Sequence, residues 1–208
     1  MKQDAYRFYA RFYDTVYEPA AKRLRAMGLK IYPPQENLAI LDVGCGTGTH
    51  LELYKKAGCK LCGVDLSSAM LAIAQQKLGD AADLRLEDAS KMTFDSKTFD
   101  LVTIVLALHE MPASLRCAIL EECRRVVKTE GRIMLMDYHY GPHPFPLGWV
   151  WKAMFVLMEI SAGRQHFSNY RDFISRKGLQ GLVSDLHLTV DKRFIAESGV
   201  VSIYLLKS

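Results

Sequence analysis

The chain has 208 residues, half of them hydrophobic, with 27 Lys and Arg against 23 Asp and Glu. That length suits a single domain able to bury its own core without a disulfide or metal staple. The 24% charged fraction excludes a disordered chain, and a formal charge of +4 is too small by itself to indicate a nucleic-acid binder.

The first stretch, residues 1–30, has seven basic and three acidic side chains, whereas residues 31–141 have twelve basic and fifteen acidic ones. The opening residues show no apolar signal-peptide core, and the five cysteines are irregularly spaced. A cytoplasmic location is therefore expected. Tyr6, Tyr9, Tyr13 and Tyr17 recur at helical spacing, which fits either an amphipathic helix packed on the domain or a lid over a ligand.

The run Leu38–Val43 reads as a buried strand stopped by glycines, followed by a helix over Thr47–Lys56 and a second strand over Lys60–Asp65. Ser67 and Ser68 supply a cap for a helix reaching Lys77. Leu84–Glu87 alternates as a short strand, and Phe99–Leu106 is apolar on both sides, as a central strand must be. A helix over 113–127 leads to Gly131 and a strand over Arg132–Asp137. Leu188–Val190 and Val200–Leu206 read as the last strands. Strand–helix alternation of this kind predicts an α/β fold, a doubly wound parallel sheet with helices on both faces.

Such sheets bind ligands at the carboxyl ends of their strands, so the residues just after each strand matter most. After the first stands Asp42-Val-Gly44-Cys-Gly46-Thr-Gly48, whose glycines let the backbone turn tightly against a ligand. Thr49 occupies the third glycine position of the dinucleotide fingerprint, and no Gly-Lys-Ser/Thr follows, which disfavours a pyrophosphate cradle. The second strand ends at Asp65, an acid able to accept from a ribose diol or to cap the next helix. The third is followed by Asp88-Ala89.

Taken together, Ile40–Gly48, Gly63–Met70, Glu87–Ala89, Phe99–Val102 with Ala107–Met111, and Gly131–Met136 resemble the motifs of class I S-adenosylmethionine-dependent methyltransferases. Within that family the sequence is most similar to the quinone-biosynthesis and phosphatidylethanolamine methyltransferases. The resemblance implies a Rossmann-like, mostly parallel seven-stranded sheet with an antiparallel last strand. It also implies a division into an N-terminal helical lid (1–35), a cofactor-binding core (36–140), a helical substrate-side insertion (141–180) and the final strands (181–208).

For the cofactor, S-adenosyl-L-methionine with S-adenosyl-L-homocysteine as product, the resemblance implies that Gly44, Cys45, Gly46 and Gly48 lie against the methionine moiety, with Asp42 beneath them. Asp65 would hold the ribose and Leu66 and Met70 would flank the adenine. Asp88 and Ala89 would meet the adenine edge, Leu106 would offer its carbonyl to the ammonium, and Tyr13 would close over the cofactor.

Displacement at a methyl carbon needs alignment and desolvation, and a base only where the acceptor must lose a proton. His109 after the fourth strand and His139 after the fifth are the candidates, each with the alternative of a structural role. Cys59 and Cys62 form one pair without a second, so no metal site is expected. The Trp-, Met- and Phe-rich run from Gly148 to Glu159 fits a substrate wall, a core helix or a membrane-surface helix flanked by Lys152, Arg164, Arg171 and Arg176.

The expectation is methyl transfer to a small hydrophobic molecule. The alternatives are a phospholipid head-group N-methyltransferase at a membrane surface and a non-catalytic cofactor-binding protein. No nucleic-acid partner is expected, since Glu110-Met-Pro112 stands where a nucleic-acid methyltransferase carries its Pro-Pro signature.

Overall fold

The computed structural model describes the backbone of residues 10–196 and 199–208, with side chains described from residue 21 onward. Seven strands form one sheet: β1 (Ala39–Val43), β2 (Lys60–Asp65), β3 (Ala82–Leu86), β4 (Phe99–Val105), β5 (Val127–Tyr138), β6 (Val190–Ala196) and β7 (Val201–Lys207). Their spatial order is β3-β2-β1-β4-β5-β7-β6. The first five strands pair in parallel, and β7 runs antiparallel to both β5 and β6. Around the sheet lie α1 (Ala10–Ile31), α2 (Thr49–Lys55), α3 (Ser68–Leu78), α4 (Ala113–Val126), α5 (Leu147–Ser161), α6 (Arg164–Ser175) and α7 (Gly178–Asp185).

The central strands behave as their apolar composition requires. All of β4 but Asp100 is buried, which is what cover on both faces demands. Strand β5 starts five residues earlier than its apolar run suggested, because Val127 already pairs with Phe99. The register then shifts so that Arg132 faces Leu101. Gly131 sits in this irregularity, where a Cβ would come within 2.7 Å of Val127 Cγ2, so a glycine is required. Strand β6 extends six residues past Leu188–Val190. It is an exposed edge bearing Asp191, Lys192 and Arg193, and such charged edges lack the apolar alternation that marks a strand.

Helix starts follow local chemistry. The Ser67 hydroxyl accepts from the Met70 amide at 3.1 Å and so caps α3. Helix α2 begins at Thr49 instead of Thr47, because Gly48 at φ +74° still belongs to the preceding loop.

Helix α6 is anchored by Arg116 of α4, which is 2% exposed. Its Nε donates to the Leu108 carbonyl at 2.9 Å, its Nη1 to Asp172 at 2.8 Å and its Nη2 to the Asn169 carbonyl at 2.8 Å. One guanidinium thus joins the turn after β4 to α6, with every bond it makes assisted by charge.

Candidate active site

Strand order reverses between β1 and β4, and a cleft of about 240 Å³ opens at the carboxyl ends there. Its floor is the loop after β1. Gly44, Gly46 and Gly48 have φ of +69°, +53° and +74°, a region that costs an L-residue about 1–2 kcal/mol. A Cβ on Gly44 would also stand 3.2 Å from Ala107 Cβ, in the space between the two strand ends.

The loop is held from β2. The Gly44 and Cys45 amides donate to the Val64 carbonyl at 2.9 and 3.1 Å. Asp65 accepts from the Gly46 amide through Oδ2 and from the Ser67 amide through Oδ1, both at 2.8 Å. One half-buried carboxylate therefore shapes the glycine loop and the start of α3. The carboxylate also borders the cleft, where a ligand would meet it.

Asp42 lies below the loop, 2% exposed, and accepts from the Thr103 hydroxyl at 2.7 Å. Burial pushes its carboxyl up to about 6, against the pull of the Thr103 bond and of Arg25. Cys45 is buried in the same loop, and burial raises its thiol well above the usual range, so it is not a reactive thiolate.

After β3, Asp88 and Ala89 line the cleft, and Asp88 Oδ1 accepts from the Ser90 amide and hydroxyl at 2.9 and 2.7 Å. Met70 is buried in the wall, whereas Leu66 is an exposed rim residue. Leu106 also lines the cleft and adopts φ +53°, held there as its amide donates to the Met136 carbonyl at 2.8 Å. A strained non-glycine residue at a strand end is characteristic of a functional turn.

The structure thus brings together Asp42, Gly44, Cys45, Gly46, Asp65, Leu66, Met70, Asp88, Ala89 and Leu106 around one cleft. Gly48 stands behind the loop against Ala74 and Leu78 instead of on the wall. The side chain of Tyr13 lies outside the described residues.

Neither histidine lines the cleft. His109 is 3% exposed, with Nδ1 2.8 Å from Asp137 Oδ1 and its amide donating to Asp137 Oδ2 at 3.2 Å. Burial disfavours its charge, but the carboxylates of Asp137, Glu159 and Glu110 outweigh that and raise the imidazole to about 9. It is therefore already protonated at neutral pH, the wrong state for a base. His139 is buried beside β7, where its amide donates to the Val200 carbonyl at 2.7 Å. Burial, followed by Arg193, pushes its imidazole below the ordinary value.

Several wall residues were not evident in the sequence. Arg25 arrives from α1, while Val105, Glu110, Met111, Leu115 and Ile119 line the side next to β4 and α4. Arg25 had no distinguishing local signal among the basic residues of its helix. Leu115 and Ile119, four apart on α4, follow ordinary helical core spacing.

The donor set fits S-adenosylmethionine. Acceptor carboxylates stand at three successive strand ends, matching its diol, amine and ammonium, and Gly44 keeps a Cβ out of the narrow gap beside Ala107.

Residues 40–131 match the family model of a methyltransferase domain. Demethylmenaquinone methyltransferase of Bacillus subtilis is 29% identical over 201 residues, covering 88% of this chain and 85% of that protein. The enzyme of the same name from Lactiplantibacillus plantarum is 32% identical over 145 residues, covering 66% of this chain and 60% of its own length. A solved SAM-dependent methyltransferase from Aquifex aeolicus shares the fold, with a TM-score of 0.62 at 17% identity and 88% of each chain covered. With the motifs, the strand order and the relatives in agreement, residues 40–131 form the core of an S-adenosylmethionine-dependent methyltransferase domain.

Proposed function

We propose that the protein methylates a small apolar acceptor of the quinone type. The observation that carries this reading is the composition of the cleft wall beyond the glycine loop: Val105, Met111, Leu115 and Ile119 present hydrocarbon, and Glu110 is the acid among them. Such a wall suits an apolar ring and desolvates the reacting centre. The relatives' printed substrate, demethylmenaquinone, has this character.

When bound, S-adenosylmethionine supplies an electrophilic methyl carbon for in-line displacement. The chain's own residues fix the approach. The Gly44–Gly48 loop and Asp65 set the cofactor's position, and Leu106 and Met111 bound the space an acceptor enters. Helix α1, which brings Arg25 to the cleft, serves as the lid.

The test is to incubate purified protein with S-adenosylmethionine and a panel of quinols, and to measure S-adenosylhomocysteine. Turnover with at least one quinol is expected. No product from any of them, with cofactor binding intact by calorimetry, refutes the reading and leaves a non-catalytic binding protein.

Peripheral membrane contact is favoured by a separate observation. No helix among the described residues is long and apolar enough to cross a membrane. Yet α5 turns Trp149, Val150, Leu157 and Ile160 outward, with Phe145 just before it 84% exposed. Such a stripe suits shallow insertion, and the exposed Arg164 and Arg171 follow it in sequence. Flotation with anionic vesicles should carry the protein, and Phe145→Ser with Trp149→Ser should release it. Absence of flotation in the unmodified protein removes this reading.

A further inference from the structure

Behind the turn after β4 lies a polar cluster that methyl transfer does not use. His109 comes from that turn, Glu159 from the inner face of α5 and His166 from the first turn of α6. The Nε2 of His109 is 3.5 Å from Glu159 Oε1, and the Nε2 of His166 is 2.7 Å from Glu159 Oε2. One atom from each of the three lies within 4.8 Å of the other two.

The surroundings aim these groups at one another. Asp137, an acceptor, holds His109 Nδ1 at 2.8 Å, so Nδ1 donates there and Nε2, which must give up its own proton before it can ligate, is directed at Glu159. The Tyr138 hydroxyl donates to Glu159 Oε1 at 2.7 Å and fixes that carboxylate. Glu159 is 5% exposed, and its Oε2 is approached by His166 Nε2 at 2.7 Å in a geometry that falls short of a well-formed hydrogen bond. A buried carboxylate so poorly satisfied is costly, and a cation between these three groups would satisfy it.

We propose that His109, Glu159 and His166 bind a divalent transition-metal ion of the zinc class. Two imidazoles and one carboxylate suit zinc or ferrous iron, whereas calcium and magnesium prefer oxygen alone. The chemistry next to the site agrees: a ligating histidine ordinarily donates its other ring N–H to a carboxylate, as His109 does to Asp137. Charge also balances, because Glu159 and Asp137 together offset a dipositive ion. On binding, the metal takes the Nε2 lone pairs, and any proton held there leaves to solvent. Tyr138, Phe155 and Tyr170 form an aromatic wall beside the cluster, while His166, 18% exposed, leaves a path for entry. The bound ion would tie α5 and α6 to the turn whose next residue, Glu110, lines the cleft.

The experiment uses untagged full-length protein stripped with a chelator and titrated with Zn²⁺ and, separately, with Co²⁺. Uptake of one ion per chain is expected, with visible ligand-field absorption for Co²⁺ and a raised Tm. His166→Ala and Glu159→Gln should each abolish the absorption and the Tm rise. Asp137→Asn should weaken Zn²⁺ binding by about 10–100-fold. S-adenosylhomocysteine binding, which uses none of these side chains, reports that each variant is folded. Failure of the stripped protein to take up Zn²⁺, or equal uptake by folded His166→Ala and the unmodified protein, would overturn the proposal and leave an ion-pair network. Neither outcome bears on the quinol assay.

Discussion

Asp65→Ala tests the construction of the cofactor site most directly. The carboxylate accepts two short bonds, from the Gly46 and Ser67 amides, each at 2.8 Å. A hydrogen bond to a charged group contributes about 1.5–3 kcal/mol, but Asp65 is half exposed, so water recovers part of that when the side chain is removed. A stability loss of about 1–3 kcal/mol is therefore expected. Cofactor affinity should fall by about 1–3 kcal/mol, or about 5–150-fold, because the variant loses the carboxylate proposed to accept from the ribose and the fixed position of Gly46. Asp65→Asn should not restore binding. Both native oxygens face N–H donors, so the Asn amide nitrogen must point at one of them. Calorimetric titration with S-adenosylhomocysteine and urea unfolding read the two effects. Wild-type affinity together with a wild-type urea midpoint in Asp65→Ala would refute the assignment.

Two further substitutions probe the same loop. Gly48→Ala meets both a φ of +74° and contacts of 2.9 Å to Leu78 Cδ1 and 3.0 Å to Ala74 Cβ, so a loss of about 2–4 kcal/mol is expected. Gly46→Ala has nothing within 4 Å of its Cβ and should cost only the backbone strain, about 1–2 kcal/mol; equal midpoints for the two variants in urea would contradict this. Asp42 titrates at about 6 in the folded chain against 3.8 ordinarily, so the folded state holds the proton more tightly. Its contribution to stability is greatest at low pH and falls by on the order of 3 kcal/mol as pH rises through that interval. Asp42→Asn should therefore gain stability relative to the unmodified apo protein between about pH 4 and about pH 7; a difference in unfolding free energy that does not vary with pH would rule this out.

The sequence by itself determined the frame of the cofactor site. Each of Gly44, Asp65, Asp88 and Leu106 ends a strand or follows one within a few residues, and a parallel sheet places all such positions along one edge. Local chemistry was enough to set the glycine turns and the Ser67 cap. It was not enough for β6, since an edge strand carries no apolar alternation, nor for the early start of β5, which depends on pairing with Phe99.

Only the tertiary structure decided what the histidines face. His109 sits at a strand end, as the sequence suggested for a base, yet the fold turns its ring toward Asp137 and Glu159 and away from the cleft. Glu159 and His166 belong to helices joined by a short turn, and nothing in their spacing pointed to residue 109, fifty positions earlier. Cysteine spacing gave no reason to expect a metal, because these three side chains meet only after α5 and α6 pack against the turn that follows β4. Contacts that form within one strand–loop–helix unit are written in local sequence, whereas contacts between such units depend on how each buries its apolar face.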